Sequence, residues 1–188
     1  MEFKKNFEEK ITKELKEKLK VKSIMAVPKV TKIVVNMSSR EFLKDRKNID
    51  RAIEDLVQIT GQKPRIAKAR TSIATFKLRE GDKIGLSVTL RGQRMYDFLE
   101  KLVKIVFPRV KDFNGIDLKA FDGRGNITVG FNEQLVFPEI DSGKVDTLRS
   151  LQVTIVTNAN DNAKAKMLLE SIGMPFIKVK TEKLEVKN

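Results

Sequence analysis

The sequence predicts an α+β fold: a mostly antiparallel sheet with helices packed on one face and a protruding basic hairpin loop. Three observations carry that expectation. Short segments rich in Val, Ile, Thr and Phe alternate irregularly with amphipathic helical segments, which suits neither a regular βαβ series nor an all-β repeat. A tight turn, Glu80-Gly81-Asp82, separates two of the strand-like segments. Apolar residues make up 40 % of the 188, enough to bury a core.

The elements follow in chain order. Phe3, Phe7, Ile11, Leu15 and Leu19 recur every four residues and predict a helix from Phe3 to Lys20 with one apolar face. Met25 to Met37, with Val30, Ile33, Val34 and Val35, reads as a strand. Ser38 and Glu41 have the spacing of a capping box. The helix they would open carries Phe42, Ile49, Ile53, Leu56 and Val57 on one side and closes at Gly61. Arg65 to Leu78 and Ile84 to Leu90 predict the two arms of a hairpin that meet at Glu80-Gly81-Asp82.

Met95 to Phe107 is a strong helical pattern that Pro108 is expected to end. Phe113 to Gly125 reads as irregular, and Ile127–Phe131 and Leu151–Val156 as strands. Asn160 to Ile172 predicts a last helix, capped by Asn160 or Asp161 and closed by Gly173. The expected organisation is one domain over residues 1–178 and a charged tail over 179–188 that lacks a core pattern.

Charge is concentrated. Between Gln62 and Arg94 lie nine cations (Lys63, Arg65, Lys68, Arg70, Lys77, Arg79, Lys83, Arg91 and Arg94) against two acids, Glu80 and Asp82. That is +7 within a chain whose formal charge is +13, whereas the last 94 residues carry 14 basic and 13 acidic side chains. A located basic patch faces a polyanion, and nucleic acid is the expected one. A solvated strand edge protected by Lys is the plainer reading, but it rarely uses this many charges on two neighbouring strands.

Zero Cys and zero His exclude a disulfide framework, a thiolate nucleophile, a zinc cluster and an imidazole base. No metal or cofactor is expected. No apolar run reaches the ~18–20 residues of a membrane span, and Met1–Lys20 is too charged for a signal peptide, so a soluble, intracellular protein is expected. Phe121-Asp122-Gly123-Arg124-Gly125-Asn126 has the glycines of a phosphate nest but lacks a Lys-Ser/Thr ending, and Asp122 would repel phosphate. A tight structural turn fits it better. Glu133, Glu139 and Asp141 could be imagined as an acid–base set, but they have no partner nucleophile and read as surface and turn charges.

With no Trp and one Tyr, base stacking is not the expected mode of RNA contact. Contacts to phosphates, 2′-hydroxyls and RNA shape fit better, with Asn36, Gln62 and Thr89 as hydrogen-bonding candidates, although each alone is ordinary strand-end or turn polarity.

Five stretches together resemble one family. They are Met25-Ala26-Val27-Pro28-Lys29-Val30-Thr31-Lys32-Ile33, Gly61-Gln62-Lys63-Pro64-Arg65-Ile66-Ala67-Lys68-Ala69-Arg70, Thr89-Leu90-Arg91-Gly92-Gln93-Arg94-Met95-Tyr96, Phe121 to Asn126, and Phe137-Pro138-Glu139-Ile140-Asp141. In order and spacing, from about Phe3 to Lys178, they resemble the bacterial type of large-subunit ribosomal protein L five, the 5S rRNA-binding family.

The resemblance implies a non-enzymatic constituent of the cytoplasmic ribosome. It implies binding to 5S rRNA in the central protuberance, contact with 23S rRNA, peptidyl-site tRNA and neighbouring large-subunit proteins, and a bridge to a small-subunit head protein. By position it places Asn36, Gln62, Lys63, Thr89 and Arg91 on the 5S rRNA surface, with Arg65, Lys68 and Arg70 as phosphate partners nearby. The loop Thr71 to Gly85, including Ser72, would reach the tRNA, with Arg79 and Lys83 best placed. Val110–Gly115 and Gly143–Asp146 would lie toward the bridge. This chain departs from the family where Asn36-Met37 is followed by Ser38-Ser39-Arg40 instead of glycines, so Arg40 offers charge where the family offers close backbone approach. The competing expectations are a free-standing RNA chaperone or regulator on the same basic face and, far behind, a hydrolase built on the carboxylates of Glu133 to Asp141.

Overall fold

The computed structural model describes residues 11–177 except 22, 44 and 45. Phe3 and Phe7 of the first helical stripe and the expected tail over 179–188 lie outside the described residues. Five strands form one antiparallel sheet: β1 (Val30–Ser38), β2 (Arg65–Lys68), β3 (Lys83–Leu90), β4 (Ile127–Phe131) and β5 (Leu151–Thr157), in the spatial order β2-β3-β1-β5-β4. The helices are α1 (Thr12–Lys18), α2 (Arg46–Thr60), α3 (Gly92–Lys101) and α4 (Asn162–Ile172). The architecture is the α+β one the sequence predicts.

Alternation along the strands assigns the two sheet faces. Ile33, Val35 and Met37 of β1, Leu86, Val88 and Leu90 of β3, and Leu151, Val153 and Ile155 of β5 share one parity and are buried. Against them pack Ile49, Ala52, Leu56 and Ile59 of α2, Met95, Phe98 and Leu99 of α3, and Leu168, Leu169 and Ile172 of α4, in one continuous core. Each such fully buried large side chain contributes roughly 1.5–3 kcal/mol. The helices therefore cover one face, and among the described residues no helix covers the other.

Several boundaries differ from the sequence expectation. The first strand begins at Val30, because Ile24–Ala26 form a 3₁₀ turn on which Met25 is 87 % exposed. The cap after β1 belongs to Ser39, whose Oγ accepts from the Glu41 amide at 3.2 Å. It opens a short 3₁₀ turn, Arg40–Leu43, so Phe42 reaches the core from that turn and α2 starts only at Arg46. Val57, expected on the apolar side, is 38 % exposed.

Pro108 does not end the third helix at Phe107. The winding widens to π over Leu102–Val106, and one further turn, Phe107–Arg109, contains the proline. β4 matches its expected bounds, and α4 begins two residues later than expected, with Asp161 Oδ1 accepting from the Ala163 amide and Gly173 closing the helix at φ +97°.

The largest correction concerns the hairpin. β2 has only four residues, and residues 69–82 form a loop with its own bonding. The Ala69 amide donates to the Asp82 carbonyl and the Gly81 amide to the Ala69 carbonyl, so Glu80-Gly81-Asp82 closes the base of the loop. The tip is the 3₁₀ turn Ala74–Phe76, with Lys77 left-handed at φ +52° and Ile73 bridging to Leu78. Thr, Ile and Phe give this stretch strand composition, but the left-handed residue breaks the ladder.

Candidate nucleic-acid interface

The open face can be read row by row from the strand registers, because residues directly opposite in antiparallel strands share a face. One row runs Arg65, Ser87, Asn36, Gln152, Gly130 across all five strands, a width of about 19 Å at ~4.8 Å per strand. The next row is Thr89, Val34, Thr154, Thr128, in which the Thr128 and Thr154 hydroxyls are 3.1 Å apart. On the other side of the first row lie Ala67, Gly85 and Ser38. No acid occupies any of these positions.

The expected hydrogen-bonding residues converge here. Asn36 is central in the first row, Thr89 is exposed in the second, and Gln62 donates from Nε2 to the Thr89 carbonyl at 3.4 Å. Gln62 is held at the turn after α2, where its amide donates to Thr60 Oγ1 at 3.3 Å. Lys63 is exposed beside it, and Arg91 is exposed at the start of α3.

The cations divide into two groups. Arg65, Lys68 and Arg70 line a single concavity with Ile66, Ala67 and Ser87. Simple alternation would have separated them, but the β2–β3 register shifts between Ala67 and Lys68, and such a bulge twists a strand edge. Arg79 and Lys83 are at the base of the loop: the Arg79 amide donates to Asp82 Oδ2 at 2.7 Å, and Lys83 lies in β3 directly opposite Lys68. Thr71 and Ser72 are exposed on the outgoing arm, where Ser72 Oγ accepts from the Glu80 amide at 2.9 Å. Lys77 is nearer the tip than any of the expected tRNA contacts.

None of the nine cations between Gln62 and Arg94 makes an ion pair among the described residues. Sequence reasoning passes over Ser87, Gln152, Thr154 and Thr128. Their signal is present in the strict alternation of Leu151 to Ile155, but uncharged alternation marks only a face and not its purpose.

The family described as ribosomal protein L5 matches residues 23–79, and the C-terminus model of the same ribosomal family matches residues 83–176. The chain belongs to the ribosomal protein L5 family. It is a structural, rRNA-binding protein of the large ribosomal subunit, acting in translation in the cytoplasm, with ribosomal RNA and ribosomal proteins as its partners. The family is not an enzyme family, and two of the carboxylates considered for catalysis have other occupations. Glu139 pairs with Lys101, and Asp141 Oδ1 accepts from the Gly143 amide at 3.0 Å.

The glycine-rich turn after Phe121 has a filled nest. Asp122 Oδ1 accepts from the Arg124 and Asn126 amides at 2.8 and 3.0 Å, and Oδ2 accepts from Asn126 Nδ2 at 2.6 Å. The Asn126 side chain, foremost, and these amides hold the Asp122 carboxyl below its usual value. The donors that would receive a phosphate are thus already in use. No helix among the described residues is long and apolar enough to cross a membrane, and no cluster of acidic side chains there could hold a metal ion.

Proposed function

We propose that the chain binds 5S rRNA in the central protuberance through the open sheet face and its β2–β3 edge. Asn36, Gln62, Thr89 and Arg91 supply directed hydrogen bonds, and Lys63, Arg65, Lys68 and Arg70 hold phosphates. The loop reaches peptidyl-site tRNA through Thr71, Ser72, Arg79 and Lys83, and 23S rRNA lies against the remaining surface. The bridge to a small-subunit head protein uses residues 110–115 and 143–146. A cleft lined by Arg109, Val110, Lys111, Phe131, Glu133 and Val136 supports that last assignment, since it combines apolar walls with charges of both signs.

The observation that carries the RNA reading is the pairing of Lys68 directly opposite Lys83, neither of which forms an ion pair among the described residues. Like charges at opposed cross-strand positions destabilise a sheet, and a polyanion removes that penalty. Arg is suited to grip two phosphate oxygens at once, and the uncharged rows beside it can reach 2′-hydroxyls across a shallow minor groove.

The test is binding of the purified protein to 5S rRNA and to an unrelated RNA of equal length across a salt series. Preference for 5S rRNA that persists at high salt is expected; equal affinities that collapse together would remove the directed contacts. Arg91→Ala should weaken 5S rRNA binding by ~1–3 kcal/mol, and an unchanged affinity takes Arg91 out of the interface. Arg79→Ala should leave 5S rRNA binding nearly intact while weakening tRNA contact. A large drop in 5S affinity would mean that the loop base belongs to the 5S surface.

A further inference from the structure

The two edges of the sheet are guarded differently. The β2 edge carries Lys63, Pro64, Arg65 and Lys68, the kinds of residue that keep an edge from pairing with another chain. The β4 edge, Ile127-Thr128-Val129-Gly130-Phe131, has no charge and no proline.

The backbone groups of successive strand residues point alternately to the two sides of the strand. The Asn126 carbonyl accepts from the Asp122 amide at 3.1 Å on the outer side of β4, where Phe121 bridges to Ile127. Alternation from Asn126 turns the backbone groups of Thr128 and Gly130 outward, and those of Ile127, Val129 and Phe131 toward β5. Among the described residues no strand meets Gly130 on that outer side. Gly130 is exposed, and a Cβ there would meet nothing within 4 Å. A strand glycine lets another backbone come close.

Gly130 also lines the cleft formed with Val110, Leu135 and Val136. A strand added along β4 alternates its side chains, so every second one can meet these apolar residues. Arg109 and Lys111 line the same cleft, both exposed and neither in an ion pair among the described residues. That charge favours an occupant bearing a carboxylate. It disfavours a second copy of the chain, which would bring its own Arg109 and Lys111 to the same edge.

We propose that the outer edge of β4 is a strand-addition site for an extended, carboxylate-bearing segment of the protein partner at the bridge. The backbone of that segment pairs with Gly130, its alternate apolar side chains fill the cleft, and its acid meets Arg109 and Lys111. This inference rests on the cleft being part of the bridge and is independent of the RNA face.

Amide hydrogen exchange resolved at single residues tests it in the free protein, in large subunits, and in large subunits joined to small ones. The Gly130 amide should exchange fast in the first two and at least tenfold more slowly in the third, while Val129 and Phe131, bonded to β5, stay slow in all three. Carbodiimide coupling in the joined ribosome should link Lys111 to a carboxylate of a small-subunit protein. Gly130→Pro removes the outward amide and should weaken the joining of reconstituted large subunits to small ones about tenfold, whereas Gly130→Ala, which keeps it, should stay within about twofold. Equal joining by both variants overturns the backbone pairing. An unprotected Gly130 with Lys111 still coupled to the small subunit overturns strand addition and leaves the bridge standing. Neither protection nor coupling removes the bridge reading, and this inference with it. Protection already present in large subunits alone overturns the partner and gives the edge to a large-subunit neighbour. Protection in the free protein that grows with its concentration overturns the partner in favour of a second copy.

Discussion

Two regions of this molecule use the same charged side chains in opposite ways. From Met95 onward, Lys101 pairs with Glu139, Lys104 with Glu100, Lys166 with Glu170, and Arg149 with Asp55. Between Gln62 and Arg94 the nine cations find no acid among the described residues, and two of them face each other across the β2–β3 ladder. In the first region these charges are satisfied inside the fold, two pairs along a helix and two between elements, and in the second they wait for something outside the chain. Net charge alone hides this, because four cations of the first region have an acid within ion-pair reach and none of the nine does among the described residues.

The strongest way to break the comparison is to attack the internal side. Arg149 is 3 % exposed at its side chain, and its guanidinium donates to Asp55 Oδ2 at 3.1 Å. Gln134 Nε2 donates to the same carboxylate at 3.3 Å, while the Arg149 amide donates to Gln134 Oε1. Asp55→Ala would leave a buried cation uncompensated, and unfolding in urea should show a loss of about 3–5 kcal/mol. A loss below about 1 kcal/mol would place this pair with ordinary surface ion pairs. RNA affinity of the folded fraction should not change.

The mirror experiment neutralises Lys63, Arg65, Lys68 and Arg70 together to Gln. Stability should hold or rise slightly, since Lys68 no longer faces Lys83. The slope of log affinity against log salt for 5S rRNA should become shallower by up to ~0.7–0.9 for each phosphate no longer neutralised. Neutralising Lys104 and Lys166 instead should leave that slope alone. If both sets change it equally, the two regions do not differ in whom their charges serve.

The smallest expected effect sharpens the internal side. The Asp122 carboxyl is held below the ordinary Asp value, so its contribution to stability is present above that value and is lost as pH falls through the lower folded-state one. Asp122→Ala should therefore flatten the fall in stability on acidification below the ordinary Asp range. An unchanged acid limb would show that the exposed turn is fully screened. Asp55 behaves oppositely: burial, outweighing Arg149 beside it, raises its carboxyl above the ordinary value. The folded state holds the carboxyl proton more readily than the unfolded chain does, so near the ordinary Asp range its own contribution favours the fold more as pH falls.

Much of this is legible in the sequence, and the failures share a physical cause. β4, β5 and α4 are readable because Ile127, Val153, Leu168 and their neighbours keep one unbroken period up to a turn or a cap. The arm from Ala69 to Asp82 is not, because composition favours a strand while the decisive event is a left-handed backbone at Lys77 that any sequence window averages away. Pro108 has the position of a helix stop, yet the helix widens to carry it. For the interface, the cations and Asn36, Gln62 and Thr89 are visible as residues. Their assembly into rows is not, because it depends on a strand order that brings Ser87 and Gln152 to either side of Asn36.

That strand order also bears on how the chain is made. β1 is the third of five strands in space and the first in synthesis, and its two neighbours, β3 and β5, both come from the second matched segment. β2 likewise pairs only with β3, so no two strands of residues 23–79 pair with each other. About 120 residues separate the end of β1 from the end of β5. At 5–20 residues per second, a nascent chain waits roughly 6–24 s with a central strand whose second edge has no partner. An edge rich in Val and Ile and left open for that long is a template for pairing with another chain. Release of the nascent protein before Thr157 should therefore yield aggregates rather than a folded half.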